Sequence, residues 1–577
     1  MDKLLHVNMT DLTVKEDPFP GEWNLLGGRA LSAKILLKEV DPKCDPLGPG
    51  NKVIFAPGVL SGSATPTSGR MSVGGKSPLT DGIKEANSGG PAGQKLARLG
   101  YRALIVEGQA KDPAKRYLIF VHKGGVEIRE CPDLKGLRTY AASEKLATQF
   151  SKRAAFVLCG SAGELQFPGA SVALTDEAER HPSRHAARGG LGAAMGAKGL
   201  KAVVVDDEGT QPRAAKDAAA FKAVAVEFTK AFKAGPNHME NGTASFVPMA
   251  NMMSSFPTRN RHEMQFDGAE SLNGMHIIEN YPTRGGSQHG CMAGCIVHCS
   301  PTVNDAQGKY VTSGLEFETV ALCGSNLLIA DLDKVAEIDR LCDDLGLDTI
   351  ETGGALGLAM ECGALAFGDA DAAIALLDKV DKGDALAETI ARGVLAVAKR
   401  FNVTDRIPAI RRQGIPAWEP RSMVGTGVTY ATSAMGADHT AGNVVVPADD
   451  PVQASQETQL LAALVDSTGF CMFQMATIEQ MRELYNAFCG TQLTFDDMTD
   501  LGWQCMQDEW EFNRRAGYGP EDCDVPGWLR TEAVPSTGAV FPISKEEIMR
   551  VFQRMPVSEN LRKKSFSTLD QLPQPEE

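Results

Sequence analysis

The amino-acid sequence predicts an α+β protein in which a β-rich base, residues 1–207, is followed by two mainly α-helical domains, 208–410 and 411–577. Three observations predict it. The first third alternates short apolar, β-rich runs with glycine turns. Beyond it the polar stretch Glu208-Gly209-Thr210-Gln211-Pro212 gives way to segments with alanine, lysine and phenylalanine at helical spacing. A chain of 577 residues also exceeds one ordinary core, so about two to four domains are expected.

In chain order, 52–55, 102–106 and 201–205 read as strands, and 116–129 as a hairpin turning at Gly124-Gly125. Helices at 30–40 and 140–150 interrupt them. Further on, 214–234, 327–345, 355–367, 372–380 and 385–400 carry the spacing of amphipathic or buried helices. A second boundary is expected within 401–418, where Pro408, Gly414, Pro416 and several basic residues break the helical pattern. The tail from Gln571 is rich in proline and acid and is expected to fray. No internal repeat is visible.

With 43% hydrophobic and 23% charged residues, the chain reads as globular and enzyme-like rather than fibrous or disordered. Its net charge of −15 and lack of a long basic run argue against a nucleic-acid partner. No apolar run is long enough for a membrane span, and Met1-Asp2-Lys3-Leu4-Leu5-His6 lacks the features of a signal peptide. A cytoplasmic protein is expected. The 13 cysteines, partly clustered and odd in number, fit metal ligation in a reducing compartment better than a disulfide framework.

Three of those cysteines stand four residues apart in Gly290-Cys291-Met292-Ala293-Gly294-Cys295-Ile296-Val297-His298-Cys299. On a helix, or a loop winding into one, that spacing stacks Cys291, Cys295 and Cys299 on one face. They can hold three irons of a [4Fe-4S] cluster if a fourth thiol arrives from elsewhere, and Cys471, after the turn glycine of Asp466-Ser467-Thr468-Gly469-Phe470-Cys471, is the best candidate. Zinc is the alternative metal, and four small buried hydrophobes the alternative without one.

Four glycine segments invite a chemical reading: Gly27-Gly28-Arg29, Ser68-Gly69-Arg70 running into Gly74-Gly75-Lys76-Ser77-Pro78, Asn87-Ser88-Gly89-Gly90, and Arg188-Gly189-Gly190-Leu191-Gly192. Glycine lets backbone N–H groups approach an anion, and a neighbouring arginine adds a charge-assisted contact, so together they resemble a phosphate cradle. Singly, each is more often a turn. Asp343-Asp344-Leu345-Gly346-Leu347-Asp348 shares the form D-x-x-G-x-D/C with the segment ending at Cys471. Such carboxylates can accept hydrogen bonds from a heterocycle such as a pterin, against the alternative of helix C-caps. Glu318 could serve as a general base and His439, in Gly436-Ala437-Asp438-His439-Thr440, could polarise an oxyanion, against the alternative that both are ordinary structural residues. Cys323 is a metal ligand or a core residue.

In this order the segments resemble the tungsten-containing aldehyde:ferredoxin oxidoreductase family, from about Gly27 to Cys471. The resemblance implies a β base carrying two tungstopterins, with molybdenum as the alternative metal, closed by two helical domains. Asn87 would lie beside the Mg2+ that bridges the pterin phosphates, with Arg70, Arg184 and Arg188 near the phosphates. Asp343, Asp348, Asp466 and Cys471 would contact the pterins, Cys291, Cys295, Cys299 and Cys471 would hold the [4Fe-4S] cluster, and Glu318 and His439 would flank the metal.

It further implies oxidation of an aldehyde to a carboxylic acid, electrons leaving to ferredoxin or an iron–sulfur subunit, and assembly into a homo- or hetero-oligomer. Two departures stand out. The family's C-x2-C-x3-C is C-x3-C-x3-C here, and the Glu-x-x-His that bridges subunits through a metal in some members reads Glu337-Ile338-Asp339-Arg340, so no such metal is expected. The competing enzyme reading is a class II benzoyl-CoA reductase subunit, with Cys323 on tungsten and His262 as proton donor. A non-catalytic electron relay is the reading from another class.

Overall fold

In the computed structural model, which describes residues 2–235 and 239–563, the β-rich base consists of two six-stranded sheets. The tail from Gln571 lies outside the described residues. The first sheet holds β1 (Lys3–Asn8), β2 (Thr13–Pro18), β3 (Val53–Pro57), β4 (Met71–Lys76), β5 (Ile83–Ser88) and β6 (Tyr101–Glu107), in the order β2-β1-β6-β3-β4-β5. The second holds β7 (Tyr117–His122), β8 (Gly125–Glu130), β9 (Ala155–Cys159), β10 (Val172–Leu174), β11 (Arg184–Ala186) and β12 (Leu200–Asp206), in the order β8-β7-β12-β9-β10-β11.

Adding six to each strand number of the first order gives the second. The pairing agrees as well: β1 is parallel to β6 and β7 to β12, and every other pair is antiparallel. Helices match too, with Gly28–Glu39 answering Thr139–Gln149 and Ala92–Arg98 answering Leu191–Ala197. The base is therefore an internal repeat, which no repeat in the sequence announced. Burial demands only apolar side chains at these strand positions, so Val53-Ile54-Phe55 and Ala155-Phe156-Val157 fill the same place without resembling each other.

The expected strands, the Gly124-Gly125 turn and most expected helices are present within a few residues. The 385–400 helix is two, Ala385–Ala391 and Val394–Phe401, broken at Gly393 (φ +97°), where the buried Glu351 carboxylate accepts the Val394 N–H at 2.9 Å. Helical packing also follows a different partition from chain order. Phe221 and Phe228 of Ala218–Ala234 join the core built by Pro451–Thr468, Ile478–Cys489 and Phe495–Ala516, whereas Trp528, Phe541 and Val551 join the core of residues 244–452. Apolar faces meet whichever neighbour completes their burial. Among the described residues no helix is long and apolar enough to cross a membrane.

Candidate active site

Each D-x-x-G segment ends one long helix and starts the next turn. Gly346 (φ +75°) caps Leu332–Leu345, and Gly469 (φ +88°) caps Pro451–Thr468, so the C-cap reading holds for both. The repeated base gives them a second meaning. Gly58, just after β3, lies so close to Gly469 that an added Cβ would fall 2.0 Å from its nitrogen; Gly160, just after β9, would meet the Leu345 carbonyl oxygen at 2.2 Å. The Arg70 N–H donates to the Gly469 carbonyl (3.0 Å) and the Ser171 N–H to that of Gly346 (2.9 Å), each from the residue before the fourth strand of its half. The two segments thus dock on equivalent positions of the two half-bases.

Around the second dock, Arg29 forks onto Glu509 (2.8 and 3.0 Å) and reaches Asp466 at 3.5 Å. Arg70 clasps Asn87 through its side chain and, at 3.0 Å, its carbonyl. Around the first dock, His185 lies 3.0 Å from Asp343 and 2.7 Å from Ser171, and Arg188 donates to Asp348 (3.1 Å), Gly414 (2.7 Å) and Ala437. Arg184 is buried with its Nε unpartnered and its nearest carboxylates, Glu316 and Asp176, at 3.9 and 4.0 Å. The other glycine segments serve close packing: Gly74 and Gly75 lie inside β4, and Lys76 donates to Cys44 (2.7 Å).

Burial pushes the Glu85 carboxyl from 4.5 up to about 8, with Asp466 adding to it, and lifts Asp466 from 3.8 to about 6 against the pull of Arg29 and Arg70. Both groups keep protons in the fold at a pH where the unfolded chain has released them. Their stability contribution is complete below the unfolded values and is lost as pH rises through the folded ones. Glu85→Gln is therefore expected to gain thermal stability relative to wild type between about pH 5 and about pH 9, read as the difference in melting temperature. A constant difference across that range would contradict the assignment.

The cysteine segment is an irregular loop, not a helix, with Gly294 and His298 at φ +72° and +54°. Thr67, fully buried, gathers it. Its N–H donates to Gly294 (3.0 Å), its hydroxyl accepts from Ile296 (3.1 Å), and its carbonyl accepts the Cys471 N–H (3.1 Å). Gly89 makes room beside Cys291, whose Sγ would lie 2.7 Å from an added Cβ. Cys291, Cys295, Cys299 and Cys471 lie within electrostatic reach of one another. Burial drives the Cys291 thiol up to about 12, Cys299 well above its usual value, and Cys471 upward. Buried thiols such as these three ionise together only when cations join them, which fits an iron–sulfur cluster.

Glu318 sits in the wholly buried helix Phe317–Cys323, whose first N–H is capped by the Thr243 hydroxyl at 2.8 Å. Its Oε2 accepts the Ala417 N–H at 2.6 Å, and its Oε1 is buried without a partner. His439 follows Asp438, which Lys84 and Arg188 hold well below the usual carboxylate range despite its burial. The His439 Nδ1 is likewise buried and unpartnered, 3.7 Å from Asp438. Tyr430, fully buried with an unpartnered hydroxyl, lies within electrostatic reach of both Glu318 and Asp438. Unsatisfied buried polar atoms are costly, so each of the three is a candidate to meet a ligand.

Cys323 is not gathered with them. Its thiol donates to the Thr349 carbonyl at 3.5 Å inside the apolar core. His262 pairs with Glu361 at 3.1 Å. Sequence reasoning missed Thr67, Lys84, Tyr430 and Ala417, single residues without spacing or partner in the chain. It read 401–418 as a domain boundary and assigned no site residue there, whereas the Ala417 N–H donates to Glu318. The one available signal was the run of Gly414, Pro416 and Trp418 in an otherwise helical region.

Residues 4–207 match the family described as "Aldehyde ferredoxin oxidoreductase, N-terminal domain" and residues 223–555 its "domains 2 & 3". The chain is 32% identical to the tungsten-containing aldehyde ferredoxin oxidoreductase of Pyrococcus abyssi, over 97% of this chain and 95% of that one. It is 31% identical to that of Pyrococcus furiosus, over 92% of each. Among solved structures, the active site complex BamBC of benzoyl coenzyme A reductase in complex with 1,5-dienoyl-CoA aligns with a TM-score of 0.78 over 99% of this chain and 96% of that one, at 18% identity. That likeness is one of fold. By these sequence matches, this chain belongs to the aldehyde ferredoxin oxidoreductase family.

Proposed function

We propose that the chain is a tungsten-dependent oxidoreductase that converts aldehydes to carboxylic acids. The observation that carries the reading is the trio of unsatisfied buried groups, Glu318 Oε1, His439 Nδ1 and the Tyr430 hydroxyl. Asp343, Asp348 and Asp466 would hold two pterins carrying tungsten or molybdenum, Arg70, Asn87, Arg184 and Arg188 their phosphates and a bridging Mg2+, and the four cysteines a [4Fe-4S] cluster. Bound there, these groups supply a two-electron oxidant and a one-electron path out.

The overall change is aldehyde plus water to carboxylic acid, two protons and two electrons. Glu318 Oε1 takes a proton from the water that adds to the carbonyl carbon, while Ala417 holds the other oxygen. His439, with its proton on Nδ1, and the Tyr430 hydroxyl donate to the carbonyl oxygen as negative charge develops. The Cys291–Cys299 loop, half-buried, is where electrons would leave for a ferredoxin or an iron–sulfur subunit of a larger assembly. The enclosure of Cys323 in the core and the pairing of His262 support this reading over ring reduction.

Anaerobically purified protein offered aliphatic and aromatic aldehydes is expected to reduce a viologen dye; protein replete in metal and cluster that oxidises none would sink the proposal and favour ring reduction. In Cys471→Ser, iron is expected to fall from about four per chain by at least one, with loss of dye reduction. Unchanged iron would remove Cys471 as a ligand.

A further inference from the structure

Between Gly414 and Glu419 the backbone is held by buried charges on every side. The Glu351 carboxylate accepts the Gly414 N–H at 2.8 Å and Arg188 donates to the Gly414 carbonyl at 2.7 Å. Arg261, 1% exposed, donates to the carbonyls of Ile415 (2.7 Å) and Pro416 and to Glu419 Oε2 (2.9 Å). The next N–H along, that of Ala417, points at Glu318 Oε2.

Arg261 is itself held under strain. Arg259, Asn260 and Arg261 stand consecutively at φ +49°, +45° and +64°, in the left-handed region that arginine rarely adopts. Outside hydrogen bonds maintain the run: Asn260 N–H to Asn326 (2.9 Å), and Arg406 to the carbonyls of Asn260 (2.9 Å) and Arg261 (2.8 Å). Strain kept in place by surrounding structure marks a position whose geometry matters.

We propose that Arg261 is a positioning residue for the reaction: by gripping the Ile415 and Pro416 carbonyls it aims the Ala417 N–H at Glu318, fixing one carboxylate oxygen so that the other faces substrate. The inference rests on Glu318 as the base. One guanidinium nitrogen grips both carbonyls while the other holds Glu419, and lysine, with a single nitrogen, keeps the charge but lacks the fork needed to reach the carbonyls and Glu419 together.

The test uses anaerobic holoenzyme with metal and iron contents measured. Arg261→Lys is expected to lower kcat about 10- to 100-fold with KM for a small aldehyde within about twofold. Ala417→Pro, which deletes the N–H without touching Arg261, is expected to do the same and carries the test if Arg261→Lys fails to fold. In a Glu318→Asp background, where the carboxylate is already displaced, Arg261→Lys is expected to change kcat less than about twofold. Wild-type kcat in Arg261→Lys and Ala417→Pro, a rise in KM alone, or losses that multiply with Glu318→Asp would overturn the positioning role while leaving Glu318 as base. Full turnover by Glu318→Gln would instead remove the base on which it rests.

Discussion

Glu318→Gln is expected to lower kcat by about 10²- to 10⁴-fold while tungsten and iron contents and melting temperature stay near wild type. The amide keeps the size of the side chain, and its oxygen can still accept the Ala417 N–H, so the buried helix Phe317–Cys323 has no reason to shift. What disappears is an unpartnered carboxylate oxygen able to take a proton. Steady-state rates with a small aldehyde and a viologen acceptor provide the measurement. A variant turning over at the wild-type rate would show that the proton leaves by another route.

Lys84→Met is expected to carry the largest cost in stability. The Lys84 and Asp438 side chains form an ion pair with 0% and 2% of their surfaces exposed. Removing the ammonium strands the carboxylate in a dry interior, a loss of about 3–5 kcal/mol, at the lower end here because Arg188 remains nearby. The sign with pH follows from the depressed Asp438 value: its stabilisation is fully present above the unfolded value of 3.8 and fades as pH falls through the folded one. The deficit of the variant in thermal melts should accordingly hold from about pH 7 down to about pH 4 and shrink only below that, and Lys84→Met/Asp438→Asn should recover part of it. A variant as stable as wild type at neutral pH would show that the pair contributes nothing net.

How much was legible depended on whether a feature leaves a pattern along the chain. Cys291, Cys295 and Cys299 announce themselves by spacing, and Cys471 by a glycine turn that resembles another. The helices were readable because apolar periodicity survives in each segment on its own. Thr67 shows the limit: an ordinary threonine in sequence, it joins two cysteine segments only because β3 and β4 bring it between them. Ala417 shows it again, since its contribution is a backbone N–H that any residue except proline carries.

The sequence by itself determined the β-then-helix order, the family and the candidate thiols and acids, because each rests on residue type and near-neighbour spacing. Only the tertiary structure decided that the base is two copies of one topology, that each D-x-x-G segment docks on one copy, and that a strap fixed by Arg188, Glu351 and Arg261 orients Glu318. Those are contacts between residues far apart in the chain, such as Glu351 with Gly414 at a separation of 63, Arg188 with Gly414 at 226 and Lys84 with Asp438 at 354. They form only when burial of apolar faces has paired the elements that carry them, and no local rule of the chain encodes that pairing.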